Sequence, residues 1–89
     1  MQSASGLNAL LFPNPTSGNA TLQFESSSAA SYQVQVMDLA GRIISAETIH
    51  AVEGLNLMDM DFSTLAKGTY LVKVEKDGAA LQLLRVTVN

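Results

Sequence analysis

Apolar and polar residues alternate along most of this chain, in short runs separated by turn chemistry. In Asn19–Phe24, Ala20, Leu22 and Phe24 face one way, with Thr21 and Gln23 opposite. A period of two marks a strand with one buried face. The same period sets Tyr32, Val34 and Val36 against Gln33 and Gln35, and Tyr70, Val72 and Val74 against Leu71, Lys73 and Glu75. Between these runs, Asn56, Met58, Met60 and Phe62 alternate with Leu55, Leu57, Asp59 and Asp61. Residues 42–50 are strand-like and rich in β-branched side chains, residues 79–88 read as a last strand, and Leu10, Leu11 and Phe12 as a short first one. No segment sustains a helical period. Residues 63–66 read as a single helical turn with Leu65 tucked inward.

The breaks between runs carry their own signals. Asp38-Leu39-Ala40-Gly41 closes a hairpin, with Asp38 opening the turn through its side chain and Gly41 supplying positive φ. Lys76-Asp77-Gly78 is a second hairpin turn, and residues 25–31 form a Ser/Ala loop. In Phe12-Pro13-Asn14-Pro15-Thr16-Ser17-Gly18 the two prolines fix φ and remove two donors, so a rigid extended corner precedes the strand at Asn19. Gly18 can take positive φ there without steric cost. The whole pattern predicts an all-β fold, a single immunoglobulin-like antiparallel β-sandwich of about seven strands.

Composition narrows the function classes. Eighty-nine residues suffice for one domain. Residues 1–9 are expected to be a linker from an upstream cargo, and 10–89 the domain proper. The hydrophobic share of 47% supports a core. With no Trp and no Cys, that core is aliphatic and its stability must come from packing and strand pairing. A net charge of −3, with five scattered basic residues, argues against nucleic-acid binding, which needs a basic stripe. No apolar run approaches the ~20 residues that span a bilayer. Met1 is followed by no basic and apolar secretory leader, so any export peptide is expected on a longer precursor.

Candidate chemistry is sparse. His50 is the sole histidine and no serine is marked as activated, so no catalytic residue is assigned and the chain reads as a non-enzyme. Asp59 and Asp61 share a strand face but supply two oxygens where calcium wants six to eight. Asp61 reads instead as a cap on the Ser63 turn, and no metal or cofactor is expected. Met37, Met58 and Met60 read as packing residues, and the glycines track turns instead of forming a phosphate-binding loop. A carbohydrate-binding module would need exposed aromatics, whereas Tyr32 and Tyr70 fall on core faces. Alternation leaves Leu55, Leu57, Leu71, Leu81 and Leu83 on outward faces that also carry Asp59, Lys73 and Arg85. If contiguous they form a partner or self-association surface; if scattered or buried they do not.

The order of motifs adds a resemblance. PNPTSG at residues 13–18 is followed by Asp38-x-x-Gly41-Arg42, Gly54-Leu55-Asn56, Leu65-x-x-Gly68-x-Tyr70 and the ending Arg85-Val86-Thr87-Val88-Asn89. Over roughly residues 10–89 this resembles the type A C-terminal sorting domain of proteins exported by the type IX secretion system of Gram-negative bacteria (the Por secretion family). The resemblance implies the same sandwich and a recognition module without catalysis. It implies as partners the outer-membrane shuttle, translocon and sortase, and a route through the periplasm to the cell surface or medium. It also implies removal of the domain by a surface sortase, near residues 1–9. Recognition is expected at Pro13, Asn14, Pro15 and Gly18, at Gly68 and Tyr70, and at Arg85, Val86, Thr87, Val88 and Asn89. The terminal strand is expected to offer main-chain groups and alternating side chains, for recognition by strand addition or by a receptor groove. One departure stands out: many relatives end in lysines, while this chain has Arg85, no lysine after Lys76 and a neutral Asn89. The alternative is a fibronectin-like or immunoglobulin-like spacer or adhesion module of an extracellular protein.

Overall fold

Each alternating run becomes a strand whose apolar side turns inward, because burying one face of a pleated ribbon requires a second layer against it. In the computed structural model, which describes residues 8–89, seven strands form two antiparallel sheets. They are β1 (Leu10–Phe12), β2 (Asn19–Ser26), β3 (Ala30–Met37), β4 (Ile43–Ala51), β5 (Gly54–Asp61), β6 (Gly68–Lys76) and β7 (Ala79–Val88). One sheet runs β1-β2-β5 and the other β4-β3-β6-β7. The expected linker falls mostly outside the described residues; of its last two, Asn8 is exposed and Ala9 is buried.

Leu22 and Phe24 of β2 and Met60 of β5 join Val34 of β3, Val72 and Val74 of β6 and Val86 of β7 in one core cluster, together with Phe62. Tyr32 packs edge-on against Phe24, with ring centroids 5.2 Å apart. Its hydroxyl lies 2.7 Å from the Ser26 Oγ, which donates to the carbonyl of Ser28. The phenol's polar tip is thereby satisfied inside an apolar wall.

The turns follow local chemistry. Asp38 Oδ1 accepts from the amides of Ala40 and Arg42, its other oxygen meets Arg42 Nε at 3.1 Å, and these bonds hold the carboxyl below its ordinary pKa. Gly41 reaches a φ of 90° beside it, as the hairpin requires. At residues 62–65 the helical turn expected from sequence is a hydrogen-bonded reverse turn, the Leu65 amide donating to the Phe62 carbonyl. Asp61 caps it by accepting from the Ser63 amide at 2.9 Å, and the Ser63 hydroxyl together with that amide lowers its pKa too.

Candidate functional site

The residues singled out for recognition lie far apart in sequence and together in space. β7 pairs with β6 on one side, placing Val86 opposite Tyr70 and Val88 opposite Gly68. On its other side lies the proline corner. The Asn14 side chain donates from Nδ2 to the Arg85 carbonyl at 2.7 Å and accepts at Oδ1 from the Thr87 amide at 3.1 Å. Its amide therefore imitates the peptide unit of a neighbouring strand. Two residues on, Thr16 continues the imitation with its backbone: its N–H donates to the Thr87 carbonyl and its carbonyl accepts from the Asn89 amide, both at 2.9 Å. Thr16 and Val88 form a parallel bridge.

The corner is pinned from its own side as well. The Thr16 hydroxyl, in a residue only 1% exposed, donates to the Asn19 carbonyl at 2.7 Å and accepts from the Gly18 amide at 3.1 Å. The Gly18 carbonyl accepts from the Phe62 amide at 2.7 Å, tying the corner to the end of β5. Gly18 does not use the positive φ open to a glycine. The Thr16 hydroxyl fastens the bend, and both prolines follow cis peptide bonds. Further along β7, Gln82 holds both the amide and the carbonyl of Ala9 through its side chain, at 3.0 and 3.2 Å. Thr16 and Gln82 were not among the expected residues. A threonine two positions before a glycine was the available signal for the first; nothing local marks the second.

Two expectations change here. Strand addition at β7 across Arg85–Asn89 meets an edge already taken over most of its length, because the Arg85 carbonyl, the Thr87 amide and carbonyl and the Asn89 amide all have partners in the corner. The five leucines form no single patch. Leu55 and Leu57 face outward on the three-stranded sheet, Leu83 is exposed and Leu71 half-buried on the four-stranded one, and Leu81 packs against the core at a bulge.

What the assembled surface presents is mixed. Pro13, Asn14, Pro15, Arg85 and Asn89 are exposed, Thr87 and Tyr70 are half-buried, and Gly18, Val86 and Val88 are buried. Tyr70 donates its hydroxyl to the Ala66 carbonyl, so its role is to brace the segment before β6. Pro13 also borders an open depression of about 210 Å³ with Asn19, Ala20, Thr21 and Asp59. Elsewhere, His50 lies on the outer side of β4 with Nδ1 3.0 Å from the Ser31 Oγ, an open surface pair without a third group. Among the described residues no cluster of three or more His, Asp or Glu could hold a metal.

The geometry predicts that Asn14→Ala lowers stability by about 1–2 kcal/mol, since it removes two exposed hydrogen bonds of ordinary strength. Urea unfolding checks this, with the slope expected to stay unchanged. No loss would mean that water replaces the amide at no cost.

Comparison with known proteins fits this picture. Among solved structures, an immunoglobulin-like protein from Pseudomonas aeruginosa is similar with a TM-score of 0.55 and 9% identity, over 93% of this chain and 91% of that one. A β-glucosidase from Kluyveromyces marxianus is similar with a TM-score of 0.54 and 15% identity, over 83% of this chain but 13% of the enzyme's. Identities this low speak for the fold alone. No curated protein matches the sequence. The profile of the secretion system C-terminal sorting domain matches residues 10–87, a span that begins at β1, passes through the proline corner and ends on the strand the corner holds. This chain belongs to the family of type IX secretion C-terminal sorting domains.

Proposed function

We propose that this domain is the export address of a longer secreted protein, read as an assembled surface and not as a linear tail. The observation that carries the reading is the convergence of the proline corner, the start of β6 and the end of β7 on one region of the molecule. A folded address has a physical advantage, since it presents the same surface whatever cargo precedes it. Pro13, Asn14, Pro15, Arg85 and Asn89 are exposed and make the direct contacts. Gly18, Gly68, Tyr70, Val86, Thr87 and Val88 hold them in place.

On this reading the translocon and shuttle proteins of the type IX machinery receive the domain in the periplasm and pass the cargo through the outer membrane. A surface sortase then removes the domain and attaches the cargo to lipopolysaccharide. Cutting falls upstream of Ala9, because Ala9 is buried and held by Gln82, while proteases need an accessible segment.

A fusion decides it. The chain is placed behind a periplasmic signal and a fluorescent reporter in a bacterium that carries the type IX system. Reporter at the surface or in the medium, and lost when the translocon is deleted, is the expected result. A folded reporter confined to the periplasm would favour the spacer or adhesion module.

A further inference from the structure

We infer that this domain is built to carry tension: residues 9–16 and β7 form a clamp that is loaded in shear when the two ends of the chain are pulled apart. The resistance belongs to the fold. Its use, keeping a cargo attached to an address that is being pulled, rests on the sorting function proposed above. Residues 9–16 and β7 run in the same direction. Ala9 lies beside Gln82, Asn14 beside Arg85 and Thr87, and Thr16 beside Thr87 and Asn89, with a parallel bridge from Thr16 to Val88. The chain therefore enters the clamp near the start of β7 and leaves it at the far end. From Gln82 to Asn89 an extended strand advances about 23 Å. A pull between Ala9 and Asn89 thus acts chiefly along the strands and not across them.

Direction decides how the bonds share the force. The Gln82 side chain makes two hydrogen bonds to the Ala9 backbone, and the Asn14 side chain makes two to the backbone of Arg85 and Thr87. The Thr16 backbone makes two more, to Thr87 and Asn89. A pull along the strands slides the segments past each other and strains these bonds together. A pull across them opens the bonds one after another from one end. The segment is also anchored on both layers: Leu10–Phe12 pair with β2 of the three-stranded sheet, while Asn14 and Thr16 hold β7 of the four-stranded one. Sliding it therefore disturbs both sheets. On its other side β7 pairs with β6 from Ala79 to Val88, so it too can leave only by moving along its length. Val86 and Val88, both buried, must leave the core in the same movement.

Single-molecule force spectroscopy of the whole chain tests this. The chain has no cysteine, so an engineered thiol fixes an attachment point without ambiguity. In one geometry the handles are joined before Met1 and after Asn89. In the other they are joined before Met1 and at Ala79→Cys, an exposed position where β7 begins. Forced unfolding reads the unfolding barrier, and the end-to-end geometry should need a force at least about twofold higher. Asn14→Ala should lower the end-to-end force more than Val34→Ala does. Val34 is a buried residue of β3, a strand not adjacent to β7, and its truncation is a core change of comparable cost in urea. Equal forces in the two geometries, or equal effects of the two substitutions, would overturn the inference. Equal forces in a domain that still exports its reporter would overturn the clamp and leave the sorting function standing. A strong clamp in a domain that exports nothing would uphold the clamp and count against the sorting function.

Discussion

Deleting Val86–Asn89 is expected to abolish cooperative folding, and export with it. Val86 is 0% exposed and Val88 5%, and burying each such side chain contributes about 1.5–3 kcal/mol. The deletion also removes the Thr87 amide and carbonyl and the Asn89 amide, three of the groups that hold the corner, together with the pairing of Val86 and Val88 to β6. These losses rival the ~5–15 kcal/mol by which a small domain is stable at all. Circular dichroism should show no melting transition, and a fused reporter should stay in the periplasm or be degraded. A truncated domain that melts normally would show that the corner and β7 do not depend on each other.

That result alone would not separate a lost contact from a lost fold. Arg85→Glu makes the separation, because the Arg85 side chain is exposed and only its carbonyl serves the corner. Its stability should stay within about 0.5 kcal/mol of the parent. If the machinery reads positive charge at the tip, surface delivery should nevertheless fall. Normal delivery of Arg85→Glu would sink direct recognition of that charge and leave the tip a purely structural role.

Thr16→Val should be the most damaging single substitution in the corner. Valine matches threonine in shape but strands the Gly18 amide and the Asn19 carbonyl, both now bonded to the hydroxyl. Thr16 is 1% exposed, so water reaches these groups poorly. Each unsatisfied buried group costs about 1–3 kcal/mol. A total near 2–4 kcal/mol corresponds to a melting point lower by roughly 8–32 °C in a domain of this size. Thr16→Ser keeps the hydroxyl and should recover most of the loss, since only a methyl group is then missing. Equal melting points for the valine and serine variants would refute the account. Export of the valine variant should fall at temperatures near its new transition and recover below it.

The inward faces of the strands were legible residue by residue. Ala20, Leu22, Phe24, Tyr32, Val34, Val36, Val72 and Val74 alternate, and all are buried. Strand periodicity is a property of the backbone, so three or four consecutive residues reveal it without knowledge of their neighbours. The hairpin at Asp77 and Gly78 was legible for the same reason, since both residues take the positive φ that a two-residue loop demands. Outward leucines were harder. Their alternation said only that they leave the core, whereas which sheet each strand joined placed Leu57 and Leu83 on opposite sides.

The recognition surface shows where local reading stops. PNPTSG and the terminal strand could each be named from sequence as elements that matter. That Asn14 holds Arg85 and Thr87, 71 and 73 positions away, follows only once the strand order sets β7 beside the corner. Alternation encodes which side of a strand is buried but carries no record of which strand lies next to it. For the same reason an edge that looked open for strand addition is largely closed, and among the described residues β4, unremarkable as a string of residues, has a strand on one side only. Fold class and core faces are therefore local properties of this chain. The clamp on its last strand, and the choice of which edge stays free, are made by the tertiary packing of segments remote in sequence.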